Sequence, residues 1–245
     1  MSISCKDNNL KVWDANRWEC ILNLTNINKE GYLVSACFIN INEGSYIVTS
    51  NYNLDKKKVD PIKVYDLNGQ KINEIENSNI STMFIDTYYD KILSKYYIIT
   101  GNVGFSQSYN YDKNNIYHNY NDNSKYYPFN IIIKNNKGII KLIESCADGI
   151  IRIFNFHSGL LLNKIKISNQ MLGGICLWND NYLFVGCQDR TIKLVEIKNG
   201  LIANSLNGHN NYVITIRKIF HPKYGECLIS QNMRKSDIKL WINNP

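Results

Sequence analysis

The alternation of apolar and polar positions along the chain predicts short β-strands. The clearest pattern is ten residues long: a small residue, a turn with an aspartate, and a strand alternating apolar and basic residues before a bulky one. Three stretches carry it, at residues 5–14, 146–155 and 187–196. A period of two places the apolar residues on one face of a strand. No segment shows a sustained helical period, so the sequence predicts an all-β fold.

Weaker copies of the closing strand lie at residues 60–66 and 237–241, and residues 105–112 fit as a degenerate copy. Recurrence at intervals of about 40–50 residues indicates a repeat architecture. Turn signals divide one interval into four short strands, which is the sheet of one propeller blade. We therefore expect a single β-propeller domain over residues 1–245, of about six blades with the first and last incomplete. The repeats are expected to end near residues 14, 66, 112, 155, 196 and 242.

The last copy contains Gly208–His209, then Leu228–Ser230 and Ile238–Trp241, and the first copy ends in Val12–Trp13–Asp14. These motifs resemble a WD40 repeat, and the resemblance covers nearly the whole chain. In that family a His, a Ser or Thr, a turn Asp and the terminal Trp form a hydrogen-bonded chain within the blade. The positions to which the resemblance assigns this structural role are Asp7, Trp13, Asp148, Asp189, His209, Ser230 and Trp241.

The two ends of the chain do not complete the repeat. Residue 1 falls within a second strand of the pattern, and residue 245 follows a third strand. An open sheet edge invites association. We therefore expect a fragment of a larger propeller protein, with an irregular ring as the alternative.

The net charge of +7 raises the question of nucleic-acid binding. The lysines are scattered, many of them in the repeated strands, and the one basic run, Lys56–Lys58, is predicted to lie in a turn. A phosphate-binding surface usually clusters its cations. The dispersed charge also fits the coding bias of an AT-rich genome, so RNA binding remains the less favoured alternative.

The sequence lacks the motifs of catalysis and cofactor binding. It contains no G-x-S-x-G, no phosphate-cradling glycine loop and no H-E-x-x-H, and Gly173–Gly174 leads into no predicted helix. The four histidines lack metal-ligand spacing. The seven cysteines form no C-x-x-C pair, and Cys5, Cys146 and Cys187 share one repeat position, which predicts reduced, packed thiols. We expect no enzyme activity, no cofactor and no metal.

Residues 109–128 depart from the repeat, because they are rich in Asn and Tyr and poor in aliphatic residues. Polar tracts of this composition seldom order by themselves. The segment is therefore predicted to be an expanded blade connection, with a tyrosine-rich contact surface as the alternative.

Together these features predict a non-enzymatic scaffold that mediates protein–protein interaction in a multiprotein complex. The alternative is a basic propeller module of an RNA-processing or ribosome-assembly particle. No apolar run reaches 18 residues, so we expect no membrane span and an intracellular location, cytoplasmic or nuclear. The partner is expected at the end of the propeller where the turn after the second strand meets the loop before the first. Candidate residues at that end are Lys6, Gln188, Arg190, Tyr212, Met233 and Arg234.

Overall fold

The structure is a computed structural model of the 245-residue chain. It describes residues 2–4, 8–29, 31–42, 44–53, 60–76, 81–124, 126–136, 138–233 and 237–242. Within these ranges every regular element is a β-strand and no helix is present, which confirms the all-β prediction. The chain divides into two compact units, Met1–Asn119 and Tyr120–Pro245.

The strands of the first unit form three antiparallel sheets, in each of which neighbours along the chain are neighbours in the sheet. The first sheet has three strands: β1 (Ser2–Ser4), β2 (Asn9–Asp14) and β3 (Glu19–Leu24). The second contains β4 (Tyr32–Ile41), β5 (Gly44–Tyr52), β6 (Ile62–Tyr65) and β7 (Lys71–Ile75). The third contains β8 (Thr82–Asp90), β9 (Lys95–Asn102), β10 (Phe105–Asn110) and β11 (Asn115–Tyr120).

The second unit repeats this arrangement. Its first sheet contains β12 (Pro128–Asn136), β13 (Ile139–Cys146), β14 (Ile150–Asn155) and β15 (Leu161–Lys166). The next contains β16 (Leu172–Leu177), β17 (Tyr182–Cys187), β18 (Ile192–Glu196) and β19 (Ile202–Leu206). The last has three strands: β20 (Val213–His221), β21 (Gly225–Asn232) and β22 (Ile238–Trp241).

Each four-stranded meander is a blade, and within each unit the first strand of one sheet contacts the first strand of the next, as β4 does with β8 and β16 with β20. This arrangement is a β-propeller. The blade count differs slightly from the predicted six. Four sheets are complete blades, and the first and last sheets have three strands each among the described residues.

The sheets are offset by one strand from the repeats of the sequence. The closing strand that defines the repeat is the third strand of its sheet, and the strand that follows it completes the same sheet. A repeat that ends after the closing strand therefore begins with the last strand of the preceding sheet. Each repeat of the sequence therefore contributes strands to two consecutive sheets and connects them covalently.

The core consists of clusters between neighbouring sheets of the same unit. Between the first two sheets of the second unit, Ile151 and Ile153 of β14 pack with Leu172 and Ile175 of β16. Ile151, Leu172 and Ile175 are fully buried. Equivalent residues of β2, Leu10 and Val12, are buried in the first unit. The alternate apolar residues of these closing strands therefore lie between neighbouring sheets.

Close approach of two backbones explains the glycine pair Gly173–Gly174. A Cβ built on Gly173 would lie 2.2 Å from the carbonyl oxygen of Val213, and one on Gly186 would lie 2.4 Å from the same atom. These glycines let β16 and β17 approach β20. They serve packing and carry no nucleotide-binding turn.

The tyrosine-rich segment contributes a strand and core residues where the structure describes it, and is therefore more than the predicted expanded connection between blades. It contains β11, and Tyr109, Tyr120 and Tyr126 are almost completely buried. The Tyr120 hydroxyl donates to the Phe156 carbonyl at 2.7 Å. Aromatic rings replace the missing aliphatic residues as core, so these three tyrosines do not form a contact surface.

The last closing strand is an exception to the predicted burial. Ile238 is 61% exposed and Leu240 is 44% exposed, whereas Ile192, at the position equivalent to Ile238, is fully buried. Ile192 lies opposite Leu206 of β19. Among the described residues, β22 pairs only with β21, so its apolar residues lack the cover that a fourth strand gives.

The same substitution at these two positions should therefore have different effects. Ile192→Ala should lower the free energy of unfolding by about 3 kcal/mol, because it removes a fully packed side chain. Ile238→Ala should lower it by less than about 1 kcal/mol, because most of that side chain is already in water. Urea denaturation of both variants checks this. Equal losses would mean that β22 is covered in solution.

Candidate interaction surface

Four segments of the second unit meet at one end of its sheets. Gln188 follows β17, and its backbone amide donates to the Met171 carbonyl at 2.9 Å while its side-chain oxygen accepts from the Met171 amide at 3.2 Å. Tyr212 precedes β20, and its hydroxyl donates to the Leu172 carbonyl at 2.7 Å. The Met233 amide donates to the Tyr212 carbonyl at 2.8 Å. These bonds bring Gln188, Tyr212 and Met233 together.

Solvent exposure distinguishes the predicted binding residues that are accessible to a partner from those that are buried. Met233 is 64% exposed, and Gln188 and Arg190 are exposed as well. We call Gln188, Arg190 and Met233 the Arg190 end. Lys6 and Arg234 lie outside the described residues.

Tyr212 is not a surface residue, contrary to its assignment to the binding face. It is 7% exposed, and its ring meets Phe129 edge-on with 6.4 Å between centroids. Burial and the nearby Cys187 raise the pKa of Tyr212. Its hydroxyl donates to the Leu172 carbonyl. Tyr212 is therefore a buried residue that packs beneath the exposed residues of the Arg190 end.

Arg190 has an unusual backbone conformation. Its φ is 74°, and the equivalent turn residues, Asn8 and Gly149, have φ of 51° and 80°. Glycine and asparagine tolerate this left-handed region, whereas a long side chain is strained there. Asn8 also uses its amide within the fold, donating to the Gly31 carbonyl at 3.0 Å and accepting from the Leu33 amide at 2.6 Å. Among the described residues, no side-chain hydrogen bond or ion pair occupies the Arg190 guanidinium.

The residues that the repeat pattern places in one blade form a hydrogen-bonded chain in the last sheet. Trp241 Nε1 donates to Ser230 Oγ at 2.7 Å, and Ser230 Oγ lies 2.7 Å from His209 Nε2. His209 Nδ1 lies 3.4 Å from Asp237 Oδ2. Burial lowers the pKa of His209, with Asp237 opposing the shift. A neutral His209 that carries its proton on Nδ1 accepts from Ser230 and faces Asp237, which makes this chain structural.

Trp13 occupies the position of Trp241 in the first sheet but differs from it in exposure. Trp13 is 45% exposed, whereas Trp241 is half-buried beside His209, with 5.9 Å between the ring centroids. Asp7 lies outside the described residues. The chain of four side chains is therefore described in the last sheet alone.

The turn aspartates bind the basic residue of the strand that follows them, a pairing that the repeat pattern did not predict. Asp148 contacts the Arg152 guanidinium at 2.6 Å, and Asp189 contacts Lys193 Nζ at 2.8 Å. Asp189 also accepts from the Thr191 amide at 3.1 Å. The recurring spacing of four residues between aspartate and cation was the signal in the sequence.

Arg152 is the centre of the largest of these networks. Its side chain is 1% exposed, and its Nε donates to Asp122 Oδ2 at 2.9 Å. The guanidinium lies over the Tyr126 ring, 3.7 Å from its centroid, and also donates to Ser124 Oγ at 2.9 Å. Such a buried cation requires its partners, because an unpaired charge in the interior is strongly unfavourable. Arg152 is therefore a structural residue and unavailable to a partner.

The Asp122 carboxylate gives this network a pH dependence. Burial alone would raise the pKa of Asp122, but hydrogen bonds from Lys164, Ser124 and Arg152 outweigh burial and hold it well below its usual range. A carboxylate whose pKa is lower in the folded state stabilises the fold above its unfolded pKa of about 4. That contribution is lost as the pH falls from about 5 toward the folded pKa.

Asp122→Asn should therefore lower the free energy of unfolding by about 3 kcal/mol at pH 7, because Arg152 loses a buried partner. The difference from the wild-type chain should shrink steadily below pH 5. Denaturation midpoints measured from pH 7 to pH 3 test this. The control is Asp112→Asn, which alters an exposed carboxylate. A difference that stays constant with pH would contradict the assignment.

The metal-ligating residue types of the described ranges do not cluster. No group of three or more His, Cys, Asp or Glu within the described ranges could hold a metal ion. The cysteines in these ranges are all free, and Cys146 and Cys187 are fully buried. Cys5 lies outside the described residues. No helix in the described part of the chain could span a membrane.

Comparison with known proteins shows the fold and no more. No family model matches the chain, and no curated protein matches it. Among solved structures, the crystal structure of the computationally designed Ika8 protein is similar, with a TM-score of 0.64 and 16% sequence identity over 96% of this chain. This chain spans 65% of the length of that designed protein. In all, 1305 solved chains match. One fold can serve many functions, so this likeness does not identify a function.

Proposed function

We propose that the chain is a WD40-like propeller that acts as a non-enzymatic scaffold and binds other proteins through the Arg190 end. The observation that supports this most directly is the strained, exposed backbone of Arg190. Glycine would fit that turn without strain, so the cost of the arginine indicates a use for its side chain. Free, buried thiols at Cys146 and Cys187 support an intracellular location.

The chemistry of the Arg190 end suits a protein partner. Arginine and methionine are enriched in the centres of protein interfaces. The planar guanidinium of Arg190 can bind a carboxylate through two parallel hydrogen bonds. Met233, 64% exposed, offers a flexible apolar surface beside it. Tyr212 holds the loop of Met233 against Leu172, which keeps this surface ordered.

The alternative function, RNA binding, loses part of its support from the ion pairs. Lys63, Arg152 and Lys193 belong to the repeated basic positions, and each has an aspartate within 3.4 Å. Cations that are neutralised within the fold contribute little to phosphate binding. A salt-dependent affinity of the purified chain for single-stranded RNA would favour this alternative.

Arg190→Gly should increase the stability of the fold while weakening partner binding. Relief of the left-handed strain should raise the free energy of unfolding by about 0.5–1 kcal/mol. The control is Gln188→Gly, at a neighbouring exposed residue that is not among those with positive φ. It should lower stability by at least a similar amount, because glycine increases the entropy of the unfolded chain there and the hydrogen bond from the Met171 amide to the Gln188 side chain is lost. Thermal and urea denaturation give both values, and a loss of stability in Arg190→Gly would contradict the strain argument.

The scaffold function is tested by affinity capture with a triple variant of the Arg190 end, Gln188→Ala, Arg190→Ala and Met233→Ala. We expect this variant to lose proteins that the wild-type chain captures, with unchanged circular dichroism. The matched control is Arg217→Ala, which removes another exposed arginine of the same unit and should retain every partner. Retention of all partners by the triple variant would exclude this surface.

A further inference from the structure

A second surface of the second unit is a cleft of about 390 Å³ between the sheets β12–β15 and β16–β19. Three of its lining residues are lysines, and its other charged residue is an aspartate. We call it the lysine cleft. The residues that define it are Lys134, Lys141, Lys198, Ile153, Leu162 and Asp180.

The lysine cleft lies at the opposite end of its sheets from the Arg190 end. Asp180 is in the turn between β16 and β17, and Lys198 is in the turn between β18 and β19. Gln188 and Arg190 are in the turn between β17 and β18. In an antiparallel meander, alternate turns lie at opposite ends, so the two surfaces are separate.

Two of the lysines are neighbours in the sheet, and one of them is buried. Lys134 and Lys141 lie directly opposite each other on β12 and β13, and like charges in that position are destabilising. The Lys134 side chain is 6% exposed, and its ammonium group lies 3.5 Å from Asp180 Oδ1. Among the described residues, neither Lys141 nor Lys198 has a carboxylate within ion-pair distance. Three lysines against one aspartate leave the cleft with a net charge of +2.

The floor of the lysine cleft is apolar. Ile153 and Ile197 are nearly buried, whereas Leu162 is 48% exposed. The register shifts between Ile153 and Phe154, where Leu162 of β15 has no residue opposite it. Such a bulge redirects a side chain, and Leu162 is the exposed aliphatic residue among those that line the cleft. Cations therefore stand beside an apolar surface.

We propose that the lysine cleft binds an acidic peptide segment that carries an aliphatic side chain next to its carboxylates. One carboxylate pairs with Lys141 and a second with Lys198, which together balance the net charge of the cleft and reduce the repulsion between Lys141 and Lys134. The aliphatic side chain covers Leu162. Charge complementarity of this kind sets specificity and speeds association.

A peptide suits the lysine cleft better than a nucleic acid does. Proteins that bind single-stranded nucleic acid combine cations with aromatic rings on which bases stack. The described residues that line the cleft include no aromatic side chain. Its apolar lining is aliphatic, which fits leucine or isoleucine.

The test is fluorescence anisotropy of the full chain with fluorescein-labelled ten-residue peptides in which two to four glutamates surround one leucine at varied spacing. We expect at least one peptide to bind, with affinity that falls as salt rises, because exposed charges are screened. The double variant Lys141→Glu/Lys198→Glu should weaken that binding at least tenfold. Replacing the peptide leucine by serine should weaken it about threefold or more.

The matched control is the double variant Lys113→Glu/Lys223→Glu, which makes the same charge change at exposed lysines outside the cleft. It should bind the peptides within about twofold of the wild-type chain at the same salt concentration, because it changes the net charge by the same amount but leaves the lysines of the cleft in place. Equal weakening by both double variants would overturn the proposal. The proposal would also be overturned if none of the peptides bound and an oligouridylate did, with an affinity that depended on Lys141 and Lys198.

This inference is independent of the proposed function at the Arg190 end. The triple variant of that end should bind the peptides as the wild-type chain does, because its substitutions lie at the other end of the sheets. Loss of peptide binding in that variant would place the peptide at the Arg190 end and overturn the assignment to the lysine cleft.

Discussion

The structure depends on the burial of one face of each sheet against the next sheet in the same unit. A twisted sheet of four short strands cannot bury its apolar residues alone. Ile151 and Ile153 become core only where Leu172 and Ile175 of the following sheet cover them. At the next contact between sheets, Gly173 allows β16 to approach β20, since a Cβ there would meet the Val213 carbonyl oxygen. The apolar pair that recurs in each closing strand thus stabilises both the sheet that contains it and the packing of that sheet against the next one.

A second repeated interaction joins the polar part of the pattern to that core. The turn aspartate accepts backbone amide bonds and also binds the cation of the closing strand, as Asp189 does with Thr191 and Lys193. In the Asp148 copy the cation is Arg152, which is fully enclosed by Asp122 and Tyr126. Part of the chain's basic character therefore belongs to the fold, and net charge overstates the charge available to a partner.

The two binding surfaces that we propose lie at opposite ends of the second unit's sheets. The Arg190 end offers an arginine held in a strained turn, and the lysine cleft offers cations that repel each other beside an aliphatic floor. Both depart from what local stability favours, and such departures are expected at functional sites. The propeller itself positions these surfaces without selecting a partner, because one fold serves many functions.

The sequence by itself determined the β-strands, their grouping in fours and the repeat interval, because a period of two and a recurring turn are local features. It also identified His209, Ser230 and Trp241 as one group. Tertiary structure decided the rest. Tyr212 and Arg152 look like surface residues by type but are buried, and Ile238 looks like core but is exposed, because burial depends on which strand or sheet lies opposite. Lys134 and Lys141 are seven residues apart in the sequence, and only the β12–β13 register makes them neighbours.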